Sequence, residues 1–251
     1  MILYEYPFNE KIRTYLRLEK LFMRFTELSK RASSVDHHFA LITLFEIMDV
    51  GARADLKSDV LKDLDKQRFI FNGYRGNPAI SEEALEDVLR DLNSSFQNVN
   101  DLPGKVGNYL SENDWLMSIR SRIGIPGGTC EFDLPAFYAW QQNTSESRQS
   151  DLHSWIHGLL PLTKSIYLLL HVLRDSGQYQ KVVANHGVFQ QNLPQTKSFQ
   201  LARVQLEKGI VEIPEISGNR LLLSIRLMHL SSDGRLRPSK EERTFELALC
   251  A

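Results

Sequence analysis

The sequence predicts an α+β fold, with an all-helical N-terminal domain at residues 9–176 followed by a smaller antiparallel β domain at residues 177–251. Three observations carry that reading. Apolar residues recur at helical spacing from Ile12 onward, the pattern changes to short alternating runs after Gly177, and helical and strand patterns nowhere interleave as a parallel βαβ sheet requires. The stretch Ile2-Leu3-Tyr4-Glu5-Tyr6-Pro7 is strand-like and isolated ahead of the first helix, so residues 2–7 are expected to return as an added strand of the C-terminal sheet.

The first helix starts after Asn9, a good N-cap, with Glu10 in its first turn. Its apolar stripe runs through Ile12, Tyr15, Leu16, Leu18, Leu21, Phe22, Phe25 and Leu28. A second helix carries Phe39, Leu41, Ile42, Leu44, Phe45 and Met48 and ends near Gly51. Asp55 is placed to cap a third, with Val60, Leu61, Leu64, Phe69 and Ile70. Ser81, followed by Glu82 and Glu83, opens a fourth through Leu85, Val88, Leu89 and Leu92. Residues 105–122 read as one or two helices broken near Ser111 to Asp114, and Pro126-Gly127-Gly128 forces a turn. Ser150 or Asp151 opens a last helical stretch, whose second part begins around Pro161 and stops at Gly177.

Strands are expected at 178–191, 197–206, 209–216, 219–230 and 243–250, separated by Asn185-His186-Gly187, Lys208-Gly209, Ser217-Gly218-Asn219 and Asp233-Gly234. From Arg220 the side chains alternate. Leu221, Leu223, Ile225 and Leu227 form a core face, and Arg220, Ser224 and Arg226 the opposite one.

A chain of 251 residues with 42% hydrophobic content builds ordinary cores. Its 30 Lys and Arg nearly cancel its 31 Asp and Glu, which argues against nucleic-acid binding by bulk charge. Cys130 and Cys250 are far apart and outside any metal-spaced cluster, so both are expected to be free thiols in a reducing compartment. No basic segment precedes the apolar start and Glu5 interrupts it, so no secretory signal is read there. The longest apolar run, Ile166 to Leu173, is broken by His171 and is far shorter than the ~20 residues of a spanning helix. The expectation is a cytoplasmic protein without membrane insertion.

The most informative polar pattern lies on the first helix. Arg13, Arg17, Lys20 and Arg24 follow one another at four, three and four residues, which aligns them on one face beside the apolar stripe. Such a ladder is either a solvated face balanced by Glu10, Glu19 and Glu27, or a surface that grips the carboxylates of an acidic peptide. Tyr15 and Tyr138 are candidate flanking aromatics. A second basic cluster, Arg220, Arg226, Arg235, Arg237 and Lys240, serves equally as a partner surface or as protection of a sheet edge. Arg120 and Arg122 precede the Pro-Gly-Gly turn, where a helix C-terminus favours cations anyway.

Catalytic patterns are weak. His153 and His157 are one turn apart, the basis of an alternative reading as a metal-dependent hydrolase, but HSWIH lacks the glutamate of HExxH and no third ligand is evident. Asp36-His37-His38 has no accompanying nucleophile at a sharp turn, and Pro126-Gly127-Gly128-Thr129-Cys130 lacks the GxxxxGK[ST] of a phosphate loop. No cofactor is predicted.

Two stretches resemble a known family. Tyr6-Pro7-Phe8-Asn9-Glu10-Lys11-Ile12-Arg13-Thr14-Tyr15-Leu16-Arg17-Leu18-Glu19 resembles the start of ZapD proteins, and the segment Arg120 to Pro135, RSRIGIPGGTCEFDLP, resembles their central signature. Ile216-Ser217-Gly218 with Ile225-Arg226, and Phe245-Glu246-Leu247, agree as well. The resemblance implies a non-enzymatic cell division factor at the midcell ring. It would be a homodimer that binds the C-terminal tail of the tubulin-like GTPase FtsZ and cross-links its filaments. It points to Arg17 first for tail contact, with Arg13 beside it and Arg226 in the second domain, then to Lys20, Arg24, Arg120, Arg122, Tyr138 and Arg220. Two positions depart from the family pattern: Asp114 stands where an arginine is expected and Tyr138 where a histidine is, so neither supplies a cation.

Overall fold

The computed structural model describes residues 1–52, 55–209 and 211–251. Arg53 and Ala54, inside the predicted helical region, and Ile210, inside the predicted 209–216 strand, lie outside the described residues. The chain divides into two compact units, Met1–Thr14 with Leu170–Ala251, and Tyr15–Leu169. The fold class is α+β, as the sequence predicts: helices occupy the N-terminal part, antiparallel sheets the C-terminal part, and the N-terminal strand joins one of the sheets.

The described helices are α1 (Glu10–Ser29), α2 (Ser34–Ala52), α3 (Leu56–Asn72), α4 (Glu82–Asn100), α5 (Asn108–Ser111), α6 (Asp114–Ile123), α7 (Pro135–Gln141), α8 (Ser145–His157) and α9 (Leu160–Asp175). The two unit boundaries fall inside α1 and α9. Asn9 caps α1 as expected, its Oδ1 accepting from Ile12 N at 2.9 Å. Ser81 does the same for α4, accepting from Ala84 N at 3.4 Å. Asp55 makes no side-chain cap bond to α3.

Helix α8 begins at Ser145, not at Ser150 or Asp151, because Thr144 caps it by accepting from Ser147 N at 3.3 Å. Its first turns are polar and carry no apolar period to reveal them. Helix α7 is absent from the sequence reading, being only 7 residues long, although Pro135 at its first position is a start signal. Phe69, placed in the apolar stripe of α3, is 83% exposed.

The helical core is conventional in composition. Leu18 of α1, Leu41 and Leu44 of α2, Val60 and Leu64 of α3, Leu92 of α4 and Leu116 of α6 are all fully buried. An aromatic cluster sits beside them. Trp115 packs on Trp155 and Trp140 with ring centroids 5.4 and 5.7 Å apart, and Trp140 stacks on Phe137 at 5.8 Å. The indole N–H of Trp140 donates to Asp151 at 2.8 Å, which satisfies its one polar atom.

The other unit holds two antiparallel sheets. One has the order β1-β4-β8-β2, from β1 (Ile2–Pro7), β2 (Gln180–Ala184), β4 (Leu201–Leu206) and β8 (Arg243–Cys250). The second is β3-β6-β5, from β3 (Val188–Asn192), β5 (Glu212–Gly218) and β6 (Leu222–Leu230), with β7 (Leu236–Pro238) also paired to β6. Their facing side chains, among them Val204, Leu223, Ile225, Leu227, Phe245 and Leu247, form one core. In β6 the alternation holds for Leu223, Ile225 and Leu227, each fully buried, but Leu221 precedes the strand and is 53% exposed. Strand β7, of 3 residues, is too short for a period to show in the sequence.

Strand β1 lies antiparallel to β4, from Ile2 opposite Leu206 to Pro7 opposite Leu201. Tyr4 and Tyr6 turn toward the core and Glu5 to the opposite face. There Glu5 meets two cations: Arg174 of α9 donates to both carboxylate oxygens, at 2.8 and 2.7 Å, and Arg203 of β4 to one of them, at 3.1 Å. All three side chains are at most 20% exposed.

The chain passes from β2 in one sheet to β3 in the other through a tight turn at His186 and Gly187, both with positive φ (51° and 73°), closed by Val188 N donating to the Asn185 carbonyl at 3.0 Å. A Cβ on Gly187 would lie 2.1 Å from the Ser239 carbonyl oxygen, which is main chain and has little freedom to give. Gly187→Ala is therefore expected to cost roughly 1–3 kcal/mol, read as a lower denaturant midpoint at unchanged slope. A variant as stable as the parent would show that this approach is not tight.

Candidate functional site

The four cations of α1 share a face by spacing but have different neighbours. Arg13 pairs with Glu10 of its own first turn at 3.1 Å, an exposed contact that holds it weakly. Arg24 is bound into the helical unit: its Nε donates to Thr43 at 2.9 Å and its Nη2 to Glu46, both on α2. Arg17 and Lys20 are exposed and have no ion-pair or hydrogen-bond partner among the described residues. The acids expected to balance the ladder are engaged or out of play. Glu10 serves Arg13, Glu27 bonds Arg31 at 3.1 Å, and Glu19 is 5% exposed. The centre of the ladder is thus an uncompensated pair of cations.

Tyr15 does not flank this surface. It is 1% exposed, and its hydroxyl donates to Asp63 of α3 at 2.9 Å. Burial, followed by the Asp63 charge, raises its pKa far above that of an ordinary tyrosine. Its place in the Ile12, Tyr15, Leu18 stripe was the available signal that it belongs to the core. Tyr138, on α7, is 46% exposed, on the side away from buried Phe137 and Trp140.

Arg120 and Arg122 lie in the last turn of α6. Arg120 is paired with Asp49 of α2, whereas Arg122 reaches Asp133 only at 3.9 Å, with half its side chain exposed. Asp114 occupies the first position of α6, after the Asn113 cap, where a negative charge favours the helix dipole.

In the β unit, Arg226 is exposed on the solvent face of β6. Its cross-strand neighbours are Val188 of β3 and Glu215 of β5. No ion pair within 4 Å forms with Glu215, yet that carboxylate tempers the local charge. Arg220 is exposed in the turn before β6, and Arg237 of β7 pairs with Asp233 at 2.9 Å.

His153 and His157 are both exposed on α8. No group of three or more His, Cys, Asp or Glu suited to a metal ion occurs among the described residues. Cys250 is buried, which pushes its thiol pKa up to about 11 and leaves it unreactive at neutral pH. No single helix among the described residues is long and apolar enough to cross a membrane.

Two comparisons bear on what this arrangement serves. A protein-family model described as "ZapD: Cell division protein" matches residues 16–226. The "Cell division protein ZapD" of Ralstonia pickettii (strain 12J) is 47% identical over 251 residues, spanning 100% of this chain and 99% of the relative.

Proposed function

Because the chain belongs to the ZapD family of cell division proteins, we propose that it is a non-enzymatic adaptor that binds the C-terminal tail of FtsZ and, as a homodimer, cross-links FtsZ filaments at the midcell ring. The observation that carries this reading is the pair Arg17 and Lys20, exposed on α1 without a partner among the described residues, while the cations at either end of the ladder are engaged. An unpaired guanidinium beside an ammonium suits a segment that carries carboxylates, because Arg grips a carboxylate with two parallel N–H groups. Arg13 can be recruited by giving up an exposed contact worth only ~0.2–1 kcal/mol. Arg122 and Tyr138 in the same unit, and Arg226 and Arg220 in the other, are the further candidates.

Bundling follows from bivalency and needs no chemistry on the partner. Each protomer of a dimer holds one tail, and the many tails along a polymer raise the effective concentration of the second contact. Weak single contacts then suffice for a stable lattice.

The test is titration of a fluorescent FtsZ C-terminal tail peptide at increasing salt. Exposed charges more than a Debye length apart are screened, and that length falls from ~10 Å at 0.1 M to ~3 Å at 1 M. Affinity should drop steeply across this range, with filament bundling lost in parallel. Binding that is indifferent to salt would remove the charge-based account of the site.

A further inference from the structure

The turn between α1 and α2 is bound to α8 by a buried set of hydrogen bonds that tail binding does not use. Arg148, in the first turns of α8, is 5% exposed, and His37 of α2 is fully buried. The guanidinium has no carboxylate partner among the described residues. Its Nε donates to His37 Nδ1 at 2.9 Å, its Nη1 to the carbonyls of Gln141, at 3.0 Å, and Asn143, and its Nη2 to the Ala32 carbonyl at 2.7 Å. On the other edge of the ring, His37 Nε2 lies 2.7 Å from the Arg31 carbonyl. A carbonyl only accepts and a guanidinium only donates, so the ring proton sits on Nε2 and Nδ1 presents its lone pair to Arg148. Gln149 adds bonds to the carbonyls of Lys30 and Arg31, at 3.1 and 3.0 Å.

We propose that His37 and Arg148 form an acid-sensitive clasp, which holds the α1–α2 turn against α8 at neutral pH and opens when the imidazole takes a second proton. Protonated Nδ1 would point a donor at a donor and place a second cation against a buried one. The other charged groups around the ring do not reverse this. On α1, Glu27 is occupied by Arg31; on α2, Asp36 bonds Arg31 at 3.5 Å and His38 packs on Phe137 of α7; on α8, Glu146 is exposed to solvent. Asp36 and the carbonyls of Arg31 and Ser29 favour the proton, but burial first and then the Arg148 charge outweigh them, and the pKa of His37 is lowered.

The sign follows from linkage. The closed clasp holds a neutral ring, and the open one takes its proton at the ordinary histidine value of about 6.5. Closure is therefore at full strength above that pH and weakens as pH falls below it. For one such group the opening equilibrium rises by up to about tenfold between pH 7.5 and 5.5, the limit reached when the closed ring stays neutral throughout. The proposal is independent of what the cations of α1 bind.

Amide hydrogen exchange by NMR on the full chain tests it, through the amides of His37 and Arg148, which donate to the carbonyls of Ser33 and Thr144. After correction for the intrinsic pH dependence of exchange, their protection should fall severalfold, by up to about tenfold, from pH 7.5 to 5.5 in the wild type and in His38→Gln, and stay constant in His37→Gln. A wild type with no fall, or a fall that persists in His37→Gln, overturns the clasp. Should His37→Gln not fold, the wild-type ring shifts decide: a neutral Nε2–H tautomer at pH 7.5 supports the proposal, and an Nδ1–H or protonated ring refutes it.

Discussion

Replacing Arg17 with glutamate should weaken binding of an FtsZ tail peptide by ten- to a hundredfold at low salt, with helix content and melting temperature unchanged. The magnitude comes from the contact proposed: a hydrogen bond to a charged group contributes ~1.5–3 kcal/mol, and each 1.4 kcal/mol is a factor of ten. The unchanged fold follows from the absence of any partner for Arg17 among the described residues, so reversal breaks nothing inside the helical unit. Arg24→Glu makes the contrast. It would set a carboxylate against Glu46 and abandon Thr43, so it should lower stability as well as binding. If Arg17→Glu binds the peptide and co-sediments with FtsZ polymers as the parent does, the α1 face is not the site.

The largest effect on stability is expected at Glu5. A single carboxylate there bonds both Arg174 and Arg203, and Glu5→Ala removes that shared acid from two largely buried guanidinium groups. Breaking a buried ion pair from one side costs ~3–5 kcal/mol, because the remaining charge keeps its desolvation penalty. That corresponds to a fall in melting temperature on the order of 10 °C in calorimetry. A loss below ~1 kcal/mol would mean that water reaches the arginines and that β1 is held by its ladder and its tyrosines alone.

Glu5 also shows what a sequence does and does not disclose. The alternation Tyr4, Glu5, Tyr6 was enough to read a strand and to expect it in the C-terminal sheet, but the identity of its charge partners depends on contacts with α9 and β4, far along the chain. Helix α1 was legible throughout, since its cap, first-turn acid and stripe agree with one another. Short elements were not: α7 and β7 span too few residues for a period to register, and the polar opening of α8 hides its start. The α1 cations were visible as a pattern, yet which of them are already spoken for is decided by Thr43 and Glu46 on another helix. Arg148 gave no sign at all, because a buried arginine satisfied by carbonyls looks like any other in a polar run.

The aromatic cluster of Trp115, Trp140 and Trp155 contains all 3 tryptophans of the chain, and every one lies in the unit Tyr15–Leu169. Its consequence is optical. Tryptophan emission excited beyond the tyrosine absorption band is a natural label on the helical unit alone, because the β unit, with tyrosines such as Tyr4, Tyr6 and Tyr179, does not absorb there. A melt followed by indole emission would therefore watch the helical unit, and calorimetry the whole molecule, and a gap between the two transitions would show that it comes apart in more than one step.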